Sequence, residues 1–347
     1  MSFSIFDFDI ALCSGENVVI YNIQENKERI VTLPKLTGIQ ENNTHNNEDI
    51  ESFHALMSVN FSNDGEYLSI CTNRKQLCLY KRKSLEIVSN RTLIRAASKV
   101  RFTKNNDIVV ADKSGDAYLF STSKPLENGT LLLGHKKFVN NIAEVPHDRE
   151  ILVSCGGDGV FIFWNYKTGT EIYTYPFKDG LQDEDTDIRK LSRLLEESNV
   201  EESVIAVPVK QMQISMLNDL TSIISISLFC CKRVFIYCVT GKKDGNLVVK
   251  YLQSVLIEDE PLECHLKENR LWILTNENLK VYELVENSFS KDLEMTQKLE
   301  KLNESWKKLR SNASDRTLFP ILYKRKFDNV QEYQERKKSR LIDKKIE

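Results

Sequence analysis

The 347-residue chain lacks any long apolar run: its least polar stretch, Leu220 to Cys231, is 12 residues long and contains three serines. A membrane-crossing helix needs about 20 apolar residues, so a soluble protein with no membrane partner is expected. No basic residue precedes Lys27, which removes the positive segment that opens a secretory signal, and export is not expected. The eight cysteines, at 13, 71, 78, 155, 230, 231, 238 and 264, include no C-x-x-C pair. They sit in strand-like apolar runs and read as buried reduced thiols of a cytosolic or nuclear protein; a structural zinc site would want closely paired ligands. An excess of one charge is also missing, since 48 Lys and Arg face 50 Asp and Glu for a net charge of −2. Any nucleic-acid contact must therefore come from a local patch. With 41% hydrophobic and 28% charged residues, the composition is globular and supplies a sizeable core.

What the chain has is a repeat. Six segments share the form apolar, any residue, apolar, aromatic: they end at Tyr21, Tyr80, Phe120, Trp164, Tyr237 and Tyr282. Each reads as a strand preceded by an apolar run and a polar break, which is a hairpin signature. The aromatics are spaced by 59, 40, 44, 73 and 45 residues. Three intervals match the period of about 40 to 45 expected of four-stranded propeller blades. The two long intervals contain insertions. The first, near 40–49, is Asn-rich and reads as a loop. The second, 179–203, carries nine acidic and three basic residues, with Ile188, Leu191 and Leu195 at helical spacing. It reads as a solvated helix on a long inter-blade loop, or as a dock for a basic partner. The expected fold class is all-β: a β-propeller over 1–289, followed by a helical and basic extension over 290–347.

The blade from Gly134 to Phe177 opens with Gly134-His135 and passes Ser154 and Asp158 to reach Trp164-Asn165. This resembles the WD-repeat family, in which a buried His, Ser or Thr, Asp and Trp form a hydrogen-bonded chain; Asn165 replaces the usual Asp. The resemblance makes His135, Ser154, Asp158 and Trp164 structural, because buried polar groups must be paired. A Ser, a His and an Asp also superficially compose a nucleophile set, but no exposed nucleophile turn surrounds Ser154. Gly156-Gly157-Asp158-Gly159 lies between two strands and lacks the Lys-Ser or Lys-Thr ending of a phosphate loop, so it reads as a hairpin turn. No catalytic, cofactor-binding or metal-binding residues are assigned, and no cofactor is expected.

Beyond Phe289 the period changes. Met295, Leu299, Leu302, Trp306 and Leu309 recur at steps of 4, 3, 4 and 3, the seam of an amphipathic helix expected over Lys291 to Arg310. The tail from Arg316 to Glu347 has ten basic and five acidic residues, net +5. Its clusters Lys324-Arg325-Lys326 and Arg336-Lys337-Lys338 suit three roles that stay open here: phosphate contact, nuclear import, or solvation of a helix.

Three stretches narrow the family: Val110-Ala111-Asp112-Lys113-Ser114-Gly115-Asp116-Ala117-Tyr118, Gly134-His135-Lys136-Lys137-Phe138-Val139 through Lys167-Thr168-Gly169, and Leu322-Tyr323-Lys324-Arg325-Lys326-Phe327-Asp328-Asn329-Val330 with Tyr333. In this order the chain resembles the WD-repeat, non-catalytic subunit of the eukaryotic tRNA (guanine-N7)-methyltransferase. The resemblance implies a propeller that binds a separate catalytic subunit carrying S-adenosylmethionine, the heterodimer methylating a variable-loop guanosine of tRNA, in the nucleus and also the cytoplasm. It further implies a partner contact around the A-D-K-S-G-D blade and the next one, with Lys113 in an intersubunit ion pair flanked by Asp112 and Asp116. The bland alternative for Lys113 is a solvated turn lysine. A different role for the whole chain is a general WD-repeat interaction platform in chromatin or ribosome assembly. The sequence departs from the family at one place: only 17 residues separate Asp116 from Gly134, too few for the further four-stranded blade that the resemblance implies. Six blades are recognisable where seven are expected. Closure as six, an incomplete ring and a truncated product are the three readings.

Overall fold

The computed structural model describes residues 2–323 except 15–16, 23, 26, 32, 35–55, 73–74, 94, 123–128, 178–180, 182–186, 199, 201, 242–245, 268, 287, 301–302, 305–306 and 308–318. The described residues form six four-stranded antiparallel sheets, each built from four consecutive strands. Blade 1 comprises β1 (Ser2–Phe6), β2 (Asp9–Ser14), β3 (Asn17–Asn22) and β4 (Lys27–Val31). Blade 2 comprises β5 (Leu56–Phe61), β6 (Tyr67–Thr72), β7 (Gln76–Lys81) and β8 (Ile87–Thr92). Blade 3 comprises β9 (Ala97–Phe102), β10 (Ile108–Asp112), β11 (Asp116–Phe120) and β12 (Thr130–Leu133). In blade 4 the strands are β13 (Val139–Val145), β14 (Asp148–Gly156), β15 (Val160–Asn165) and β16 (Glu171–Pro176). Blade 5 holds β17 (Val209–Asn218), β18 (Thr221–Leu228), β19 (Arg233–Thr240) and β20 (Val248–Leu256). Blade 6 holds β21 (Glu263–Lys267), β22 (Arg270–Leu274), β23 (Leu279–Val285) and β24 (Ser288–Lys291).

These sheets are the blades of a WD β-propeller. All six marker aromatics of the sequence repeat lie on the third strand of a blade. The first strand of each blade packs beside the first strand of the next, from β1 against β5 through to β17 against β21. Central strands of the middle blades are covered on both faces: every residue of β10 is buried, and every residue of β18 but the first. Fourth strands have one open edge and mix buried with exposed positions, as in β8 and β16. Apolar clusters lie between successive blades: Ile20, Val59 and Ile70 between blades 1 and 2, Val109, Ile142 and Leu152 between 3 and 4, Phe161, Ile226 and Tyr237 between 4 and 5, and Ile236, Cys264 and Leu271 between 5 and 6. The stretch after Asp116 supplies the rest of β11 and all of β12, so blade 3 has its four strands.

Cys71, Cys78, Cys155, Cys231 and Cys264 are buried free thiols, while Cys230 and Cys238 are half-buried. Burial pushes the Cys78 and Cys264 thiols up to about 12, which keeps them protonated and unreactive at neutral pH. Among the described residues no group of three or more His, Cys, Asp or Glu could hold a metal ion. No described helix is long and apolar enough to cross a membrane.

The acidic insertion contains α1 (Ile188–Glu197), capped by Asp187, whose side chain accepts the Lys190 N–H. The helix sits where the periodicity places it, but it is not solvated all round. Leu191 and Leu195 are buried in one cluster with Phe138, Val200, Phe229, Phe319 and Leu322, as apolar residues one helical turn apart share a face that packs on the core, while Ile188 stays exposed. After the propeller, β24 runs on to Lys291, Asp292 caps the next helix through the Met295 N–H, and α2 occupies Leu293–Lys298. The helix expected from Lys291 therefore starts two residues later, because the strand pairing Tyr282 with Lys291 claims that residue. Leu302, Trp306 and Leu309 of its expected seam lie outside the described residues. A 3-10 turn at Phe319–Leu322 brings the extension back onto the propeller beside α1.

Candidate protein-interaction site

The Gly156–Gly159 segment makes the hairpin between β14 and β15. Gly159 has φ of +77°, a left-handed conformation that only glycine adopts without cost. A Cβ on Gly156 would lie 1.8 Å from the Phe138 carbonyl oxygen, so the Gly134–Phe138 loop can lie directly on this turn, held by the Gly157 N–H bonding to that same oxygen at 2.9 Å. That approach brings His135 to Asp158. Trp164 Nε1 donates to Ser154 Oγ at 2.8 Å, Ser154 Oγ meets His135 Nε2 at 2.7 Å, and His135 Nδ1 meets the Asp158 carboxylate at 2.9 Å. Indole only donates and carboxylate only accepts, so the one proton arrangement that pairs every group runs Trp164 to Ser154 to His135 to Asp158. Asp158 also accepts the Lys136 N–H at 2.9 Å. The Ser154 side chain is 0% exposed; its hydroxyl has two bonds and no approach for a substrate, which disposes of the nucleophile reading.

The A-D-K-S-G-D motif forms the β10–β11 turn. Asp112 Oδ1 accepts the N–H groups of Ser114 at 2.6 Å and Asp116 at 3.1 Å, and Asp112 Oδ2 accepts the Tyr118 hydroxyl at 3.2 Å. Burial raises the Asp112 pKa, opposed by the two backbone N–H bonds. Asp112, at 0% exposed, is thus the internal brace of the tip and is not presented to a partner, a correction to the expectation that it flanks Lys113 at an interface. A lone acid in a turn looks the same in sequence whichever way it points. The available signal was its setting, with Ser-Gly following and Tyr118 at the same strand face. Lys113 and Asp116 are half-buried at the tip, and the Lys113 N–H bonds to the Ala96 carbonyl at 3.2 Å.

Gly115, with φ of +97°, has the carbonyl oxygens of His135 and Lys137 where a Cβ would sit, at 2.5 and 2.8 Å. The two motifs singled out in the sequence are therefore interlocked, making one surface of blades 3 and 4. Beside the tip, Leu133 pairs with Asp116 across the sheet and is 60% exposed, with Leu131, Ile172 and Tyr173 also exposed. The β15–β16 turn leans on β12, since a Cβ on Gly169 would meet Thr130 Cγ2 at 2.6 Å. Apolar side chains on two adjoining edges beside a charged tip have the make-up of a protein contact, apolar within and polar at the rim. Lys324, Arg325, Lys326, Arg336, Lys337 and Lys338 lie outside the described residues.

A family model described as the tRNA methyltransferase TRM82 WD40 domain matches residues 129–300, from β12 to the end of blade 6 and α2. Proteins named tRNA (guanine-N(7)-)-methyltransferase non-catalytic subunit match across most of the chain. The Xenopus laevis wdr4 protein is 24% identical, covering 84% of this chain and 81% of its own length. Danio rerio wdr4 is 24% identical over 96% and 90%, and human WDR4 is 25% identical over 80% and 75%. The chain is thus similar over most of its length to the WD-repeat, non-catalytic tRNA (guanine-N7)-methyltransferase subunits. Those relatives are named as non-catalytic subunits, and in this chain the Ser154 hydroxyl faces inward. A solved chain of the mitotic checkpoint complex superposes with a TM-score of 0.59 at 13% identity, over 84% of this chain and 75% of that one; at that identity the likeness concerns the propeller fold alone.

Proposed function

We propose that this chain is the scaffold subunit of a tRNA (guanine-N7)-methyltransferase heterodimer, stabilising and orienting a separate catalytic subunit that methylates a variable-loop guanosine. The observation that carries the reading is similarity over most of the chain to proteins that all bear the name of the non-catalytic subunit. The contact is the surface of blades 3 and 4: Lys113 supplies an intersubunit ion pair with Asp116 beside it, and the exposed Leu131, Leu133, Ile172 and Tyr173 supply the apolar part. A half-buried lysine on a braced turn loses little freedom on binding, so its charge is pre-positioned for a partner carboxylate. The complex works in the nucleus and also in the cytoplasm, with the tail's basic clusters serving import or tRNA contact.

Purification of the tagged chain from its own cells is expected to bring down a methyltransferase in one-to-one ratio, and depletion to remove N7-methylguanosine from tRNA. Unchanged modification after depletion ends the proposal. Lys113→Glu reverses one interfacial charge and is expected to weaken the complex by about 2 kcal/mol or more, roughly a thirtyfold rise in Kd in a direct binding assay. Equal affinity removes Lys113 from the contact.

A further inference from the structure

Tyr323 is the last described residue, and its side chain is packed into the propeller. Its ring packs edge-on against Phe138 at 5.2 Å and Phe319 at 5.1 Å, with Lys137 Nζ 6.0 Å from the ring centroid. Lys137 reaches across to Glu202, Nζ to carboxylate 2.7 Å. The Tyr323 side chain is buried, and its hydroxyl has no hydrogen-bond partner among the described residues. Burial, and after it the Glu202 charge, raises the hydroxyl's pKa. Tyr323, the residue before the basic tail, is thus linked to Glu202 through Lys137.

Glu202 also lines a cleft of about 560 Å³ between α1 and the segment that follows it, whose walls include Leu195, Glu196, Val200 and Val204. Apolar walls topped by carboxylates suit Lys and Arg side chains, which lay their methylene stems on the apolar surface and carry the charge to the rim. The charges are complementary: residues 179–203 hold nine acids and three bases, whereas the 24 residues after Tyr323 hold nine bases and five acids. Lys324-Arg325-Lys326 follows the anchor directly and can span about 10 Å when extended. Because Tyr323 tethers the tail, its effective concentration at the cleft is on the order of millimolar, so a weak contact suffices to fill it.

We propose that the cleft beside α1 is the docking site of the chain's own basic C-terminal segment, 324–347, which enters it through Lys324-Arg325-Lys326. The docked tail spends part of its positive charge on the propeller, and a polyanion must compete for it. None of this depends on the methyltransferase reading, so either can fail without the other.

The test is zero-length carbodiimide coupling of the purified full-length chain alone, which joins an amine to a carboxylate in contact, followed by peptide mass spectrometry. Coupling of Lys137 to Glu202 reports that the chemistry worked. Bonds from Lys324 or Lys326 to Glu196 or Glu202, within one chain in an isotope-mixed sample, are expected at about 0.05 M salt and at least about fivefold fewer at about 0.5 M, where the Debye length is short. Glu196→Lys, on the exposed face of α1, is expected to lower the remaining tail coupling to Glu202 and leave Lys137–Glu202 intact. Three results overturn the proposal: no tail coupling while Lys137–Glu202 forms, tail coupling only between two chains, or yields indifferent to salt and to Glu196→Lys.

Discussion

Ser154 accepts from Trp164 and donates to His135 at the centre of blade 4. Removing its oxygen strands an indole N–H and an imidazole nitrogen in a buried site. Ser154→Ala is expected to cost about 1–3 kcal/mol, seen as a lower urea midpoint; an unchanged midpoint would show that the chain contributes nothing net. These four residues were legible from the sequence because their spacing matches the WD pattern and burial demands that such groups be paired. Asp112 was misplaced for a related reason. Residue type and spacing located the turn, but an inward carboxylate and an outward one share the same letters, and only the N–H groups of Ser114 and Asp116 converging on one oxygen decide between them.

Elements are more legible in a sequence than the contacts between them. The aromatic-ended strands are all third strands, since alternating apolar residues, polar breaks and a steady period are local properties. Helix α1 is legible as a helix, whereas its burial is not: the cluster holding Leu191 and Leu195 includes Phe319 and Leu322, more than 120 residues away in sequence. Phe319 packs on Phe229 at 4.9 Å and is fully buried. Phe319→Ala is expected to cost about 3–5 kcal/mol of local stability. Hydrogen exchange should then accelerate across α1 while β14 and β15 keep their protection. Equal exchange in α1 would mean that the returning segment does not hold the helix down.

At the scale of the molecule, blades are joined by polar contacts as well as by apolar clusters. His147, at the β13–β14 turn of blade 4, meets Ser222 Oγ of blade 5 through Nδ1 at 2.7 Å, and its buried Nε2 has no partner among the described residues. A second ring proton would have no acceptor there, and burial, opposed by the Asp148 charge, lowers the His147 pKa. The unfolded chain then binds more protons than the native one between the lowered value and the ordinary value of about 6.5, so stability is lost as pH falls through that window. With His147→Asn this contribution disappears. The stability difference between parent and variant is expected to shift against the parent from about pH 7.5 to about pH 5.5, measured by urea midpoints, and a constant difference would contradict it.

The sequence alone determined the repeat, the four-residue hydrogen-bonded chain, the β10–β11 tip and the charge asymmetry of the tail, because each follows from residue type and short-range spacing. Only the tertiary structure decided that Asp112 faces inward, that the tip of blade 3 locks onto the opening loop of blade 4, and that the extension returns to cover α1. Those outcomes depend on which surfaces meet after the blades have packed, and close approaches between distant segments leave no periodic trace along the chain.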